Sequence, residues 1–192
     1  MKIDQEFKSL ISPLTNEEYE QLEQNIINEG CRDALVTWND TIIDGHNRYT
    51  ICTKNNISFK TVSKEFENRE EVIVWIIKNQ FGRRNLLPIE RSKLALRLED
   101  VISRKNKEKQ RGGQGGVLLM ENSPQANTMT TRDEIAKLAG VSTNTIARVK
   151  VIEREASPEQ KEELTKGIKT INKVFNEIRP KKLKPEVVEE VS

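Results

Sequence analysis

The sequence predicts an α+β fold: a small mixed-sheet domain over residues 1–105, followed by an all-α helix-turn-helix unit over 131–179. Three observations predict it. Short β-like runs at 34–38, 41–43 and 59–63 alternate with helical periodicity up to about residue 104. A glycine-rich, polar stretch over 106–130 then carries neither period. Beyond it, apolar residues fall at the spacing of two helices joined at a glycine.

The elements follow in order. Thr15-Asn16-Glu17-Glu18 reads as a capping box that opens a helix. Tyr19, Leu22, Ile26 and Ile27 give that helix its apolar stripe, and Gly30 stops it in a left-handed conformation. Residues 34–38 and 41–43 read as a hairpin turning at Asn39-Asp40. A short helix is expected over 48–55, a strand over 59–63, and a mostly buried helix over 69–80 through Val72, Ile73, Trp75, Ile76 and Ile77. Pro88 suits the first turn of the next helix, where its missing N–H is unpaired anyway. That helix runs to about Arg104, where a basic run and the glycines of a flexible linker take over, with Val117 to Met120 as an apolar island. Residues 180–192 read as a disordered tail.

Composition bounds the function. The net charge of +2 gives no bulk argument for nucleic acid, so any electrostatic footprint is local. Cys31 and Cys52 have neither metal spacing nor a disulfide framework and read as small buried hydrophobes of a reduced cytoplasm; Trp38 and Trp75 read as core. No signal peptide is visible, and no apolar run reaches the ~18 residues of a membrane span.

The segment Asp44-Gly45-His46-Asn47-Arg48-Tyr49 carries the chemistry. A glycine at a strand-to-helix turn lets backbone N–H groups approach an anion, and an arginine three residues on adds a forked donor. The alternatives are a plain turn glycine and an Arg48–Asp44 ion pair. His46, the only histidine, is either a helix cap or a proton acceptor beside Asp44. Arg83-Arg84 is either a second anion contact or a solvated corner.

The second signal is the helix-turn-helix. Thr131-Arg132-Asp133-Glu134 reads as another capping box. Ile135, Ala136, Leu138 and Ala139 line one face, Gly140 makes the turn, and Val141, Ile146 and Val149 supply the second helix's buried side. Ser142 caps that helix. Thr143, Asn144, Ala147 and Arg148 project from its outer face near its start, with Lys150 and Arg154 placed for backbone contacts. A helical hairpin that only packs, or binds protein, is the alternative. The pattern Leu164, Ile168, Ile171, Val174, Phe175, Ile178 either packs on this pair or dimerises.

Through these two N-terminal boxes residues ~1–105 resemble the ParB/sulfiredoxin superfamily, most specifically through Arg83-Arg84-Asn85-Leu86-Leu87-Pro88-Ile89-Glu90. With the helix-turn-helix behind them, the layout looks like a ParB-type DNA-binding protein. The resemblance implies CTP and Mg²⁺ as cofactors, with Gly45, His46, Asn47 and Arg48 on phosphates and Asn79, Gln80, Arg83 and Arg84 bordering the nucleotide. Two departures stand out. The family's Gly-Glu-Arg-Arg reads Gly45-His46-Asn47-Arg48 here, one arginine short. Its metal-binding Glu-Asn pair aligns with Asn79-Gln80, which has no charge to offer a hard cation, so no residue is assigned to a metal. His46 stands where sulfiredoxins carry a reactive cysteine, which excludes that repair chemistry.

The expected function is site-specific binding of double-stranded DNA by a cytoplasmic homodimer, in plasmid or mobile-element partition, with a partition ATPase as a further partner, or in transcriptional control. The competing expectation is an enzyme that hydrolyses a nucleotide, transfers a phosphoryl group or cuts DNA, with Asp44, His46 and Arg48 at its centre.

Overall fold

The computed structural model describes residues 1–83, 86–111 (backbone alone from 105) and 131–179. Arg84, most of the expected linker (112–130, including the apolar island) and the expected tail lie outside the described residues.

The elements run β1 (Lys2–Ile3), α1 (Gln5–Ser9), α2 (Asn16–Glu29), β2 (Leu35–Trp38), β3 (Thr41–Asp44), α3 (His46–Lys54), β4 (Thr61–Ser63), α4 (Arg69–Phe81), α5 (Pro88–Arg111), α6 (Thr131–Ala139), α7 (Thr143–Glu155), α8 (Pro158–Thr165) and α9 (Ile171–Ile178). The sheet order is β1-β3-β2-β4. β2 and β3 pair antiparallel, while β1 pairs with β3 and β4 with β2 in parallel. Asn39 and Asp40 both take positive φ, 46° and 60°, so the hairpin turns on two left-handed residues whose twist matches that of its strands. A register shift between Val36 and Thr37 lies opposite the end of β3 and sets where Asp44 leaves the sheet.

Local chemistry explains the ends. Thr15 and Glu18 bond each other's backbone N–H at 3.2 and 2.9 Å, capping α2. Pro88 starts α5, and the Glu90 carboxylate reaches back to the Leu87 N–H at 2.8 Å. Some expectations are corrected. α3 begins at His46 rather than 48, which puts the histidine in the first helical turn. α5 continues to Arg111 instead of ending near Arg104. α6 begins at Thr131 itself, so that threonine stands inside the helix. Gly30 has φ 78° but an extended ψ of 176°. Ile27, Leu138 and Ile168 are exposed rather than core.

The first two elements carry no sequence period: β1 is held by its pairing with β3, and α1 by long-range charge. Asp4 caps α1 and takes two Arg69 bonds at 2.8 Å, while Glu6 pairs with Arg69 and Arg97. The Arg69 guanidinium, lying 4.4 Å from the Phe7 ring centroid, holds the Asp4 carboxyl below its usual range.

One core joins the two regions. Phe7, Ile43, Ile76, Ile77 and Leu98 share a buried cluster with Ile135, Ala136, Ala139 and Ile146, so α6 and α7 pack on the N-terminal half instead of forming a core apart. A second cluster joins Ile89 to Val149, Ile152, Leu164 and Val174. α9 therefore spends its apolar face, with Ile171, Phe175 and Ile178, on α7 and α8.

Candidate functional site: a cationic cradle and an exposed helix face

Gly45 sits between β3 and α3 at φ 92°, a backbone region that side chains other than glycine rarely enter. A Cβ there would lie 2.6 Å from Leu35 Cδ2 and 3.0 Å from Arg48 Nη2. The glycine is thus demanded twice, by conformation and by the fully buried Leu35 beneath it. No side chain caps the start of α3, and its first residues, with Gly45, line a cavity of about 480 Å³.

Lys8, Arg48 and Arg83 line that cavity against one carboxylate, Asp44, an excess of two positive charges. Arg48 Nη2 lies 3.2 Å from Asp44 Oδ2 and donates to the Ala34 carbonyl at 3.4 Å. Arg83 Nη2 lies 3.6 Å from the other Asp44 oxygen. The ion-pair reading of Arg48 holds: it pairs with Asp44, and it also lines the cavity. Asp44 serves as counter-ion to two guanidinium groups.

His46 is buried, at 5 % exposure, with neither Nδ1 nor Nε2 hydrogen-bonded. Burial, helped by nearby Lys8 and opposed by Asp44, pushes its pKa below the ordinary histidine value. Arg48 Nε is likewise buried without an acceptor. Asn47 also lines the cavity. Asn79 and Gln80 do not: Asn79 is exposed near the end of α4, and Gln80 is buried with its Oε1 unpaired. Among the described residues no group of three or more His, Cys, Asp or Glu is placed to hold a metal.

The Arg83-to-Glu90 segment does more than wall the cavity. Leu86 enters the first core, Ile89 the second, and Arg83 also lines an adjoining space of about 940 Å³ that reaches Glu162, Thr165 and Lys166 around α8. Arg91, which the sequence reading missed, donates to the carbonyls of Phe81, Arg83, Leu86 and Ala139 at 2.9–3.3 Å. One guanidinium thus closes the end of α4, the loop carrying Arg83 and the end of α6. No local pattern marks it, because its partners lie as far as 48 residues away.

Gly140, at φ 66°, turns the chain from α6 to α7. Ser142 caps α7 by accepting the Thr145 N–H at 3.1 Å, so its hydroxyl has a structural duty. Asn144, Ala147, Arg148 and Lys150 are exposed on α7, and Thr143 is half-buried. Arg148 bonds the Asn172 side chain, and its guanidinium lies 5.6 Å from the Phe175 ring centroid, so α9 holds it in place. Arg154 pairs with Glu155 instead of standing free; Arg179 shares that carboxylate, and the two arginines bring the Glu155 pKa down to about 2.

Cys52 is buried with Cys31 packed against its cluster, and burial with the neighbouring thiol raises it to about 11. None of the described helices is long and apolar enough to cross a membrane.

No protein-family model matches the sequence. No curated protein matches it either. Solved structures do. The C222₁ form of a pNOB8-like ParB N-domain superposes with a TM-score of 0.57 at 20 % identity, covering 92 % of this chain and 75 % of its own. A further pNOB8-like ParB N-domain structure gives 0.55 at 22 % identity, covering 91 % and 69 %. C-terminally truncated ParB from Caulobacter crescentus, complexed to the centromeric parS site, gives 0.49 at 14 % identity, covering 88 % and 76 %. The two pNOB8-like matches span both the cradle and the α6–α7 pair, and the chain has the fold of a ParB N-domain.

Proposed function

We propose that this chain is a ParB-type DNA-binding protein that reads a DNA site with α7 and takes a phosphate-bearing ligand, CTP or another nucleotide, in the Gly45 cradle. The observation that carries the DNA reading is the outer face of α7. Asn144, Ala147 and Lys150 stand exposed on a helix whose other side is anchored through Ile146, Val149 and Ile152. A helix docked by its N-terminal half presents amide and cationic side chains to base edges and phosphates. Arg148, held by Asn172 and Phe175, enters that face pre-oriented, which lowers the entropy cost of using it. A homodimer would supply the second half-site, and a role in partition or in promoter control follows from which DNA is bound. The test is binding to fragments of the protein's own genetic neighbourhood. One fragment retained at moderate salt over bulk competitor supports the reading, and equal affinity for all fragments counts against it.

The cradle favours ligand binding over turnover. Its arginines, open α3 amides and glycine turn suit phosphate, but its carboxylate is engaged by both guanidinium groups. Calorimetry with each nucleoside triphosphate and Mg²⁺, with and without Arg48→Ala, tests this. Heat of binding that vanishes in the variant is expected, and binding that survives it would remove Arg48 from the site.

A further inference from the structure

Resting on the phosphate reading of the cradle, we propose that His46 makes it a proton-coupled anion site: the imidazole takes up a proton as a phosphate-bearing ligand enters, so that binding tightens as pH falls. Buried polar nitrogens are almost always hydrogen-bonded. Here one imidazole, 5 % exposed, belongs to the cavity wall while both its nitrogens are buried with no partner, and Arg48 Nε is buried unpaired as well. These orphaned nitrogens point to an acceptor that arrives with the ligand.

The charges around the imidazole fix the direction. α1 contributes Lys8, β3 contributes Asp44, α3 its own Arg48, and the segment after α4 contributes Arg83; α2 brings the neutral Tyr19. Burial and Lys8 lower the imidazole's pKa, and Asp44, shared between two arginines, opposes them only in part. A neutral imidazole offers one N–H, an imidazolium two. An incoming dianion must compete with Asp44 for Arg48 and Arg83. Protonation of His46 offsets that competition by adding a cation and a donor at the start of α3.

His46 is the only histidine, so its ring ¹H–¹⁵N signals report its titration without ambiguity. The full chain is titrated between about pH 5 and 8.5, alone and with sulfate, whose own charge is constant over that range, and then with pyrophosphate. Alone, the midpoint is expected below 6.5. With saturating sulfate it is expected to rise by about one unit, and the affinity for sulfate to increase by up to about tenfold from pH 8 to 6. His46→Gln should bind sulfate without pH dependence. If sulfate binds, Arg48→Ala abolishes the binding and the His46 midpoint stays put, the cradle stands and the proton coupling is overturned. If neither anion binds at any pH, the phosphate reading falls and the coupling with it.

Discussion

The cradle and the outer face of α7 are built on opposite plans. The cradle is assembled from distant pieces: a turn held open by a glycine above buried Leu35, two arginines sharing Asp44, and Lys8 from α1. Each part constrains the next. The α7 face is a single helix surface, exposed, with structural partners given to Ser142 and Arg148. The difference teaches where stability and recognition are coupled. Changes in the cradle disturb folding and ligand together, whereas changes at Asn144, Ala147 and Lys150 on α7 separate them. Arg91 touches both plans, bonding the Arg83 carbonyl on one side and the Ala139 carbonyl on the other.

The sharpest way to break the comparison is Gly45→Ala. A methyl at φ 92° facing Leu35 Cδ2 at 2.6 Å should cost about 2 kcal/mol or more in denaturant unfolding, and phosphate binding with it. A stable variant would mean that the turn is not built as described. Arg91→Ala leaves four carbonyls without their shared donor. A loss of about 2–3 kcal/mol is expected, with faster hydrogen exchange at both the α4–α5 loop and the end of α6. Exchange confined to one side would sever the link between the regions.

Lys150→Ala is expected to leave stability within about 0.5 kcal/mol and to lower the salt slope of DNA binding by about 1. A destabilised protein would place Lys150 in the fold and not on a recognition surface. The smallest effect concerns pH and His46. His46 is favoured neutral in the folded chain, with its folded pKa below the unfolded value near 6.5. Its contribution is therefore fully present above that value and lost as pH falls through the folded pKa. Unfolding midpoints should drop on that side in the native chain and less in His46→Gln; parallel curves would show that burial of this ring is energetically neutral.

Local elements are legible in the sequence because their causes are local. Thr15 and Glu18 announce α2, Asn39-Asp40 the hairpin, Pro88 the start of α5, and Gly140 the turn into α7. The Gly45 turn is legible for the same reason. What escapes is set by partners far along the chain. β1 and α1 have two and five residues, too few to show a period; β1 depends on β3 and α1 on Arg69 and Arg97, at separations of 63 to 91 residues for the Glu6 pairs. Arg91 looks like any solvated helix cation until Ala139 folds against it. The Arg83-to-Glu90 segment reads as a ligand wall, yet Leu86 and Ile89, with Arg91 just beyond it, make it the joint between the two regions.

The most direct test of the central claim, that α7 reads DNA, is a gel shift on a fragment from the protein's own genetic neighbourhood, comparing the native chain with Asn144→Ala/Arg148→Ala at matched fold and salt. A retained fragment is expected for the native chain and at least about a tenfold weaker affinity for the variant, the size of losing contacts worth about 1–3 kcal/mol each. An identical shift from a correctly folded variant would contradict it.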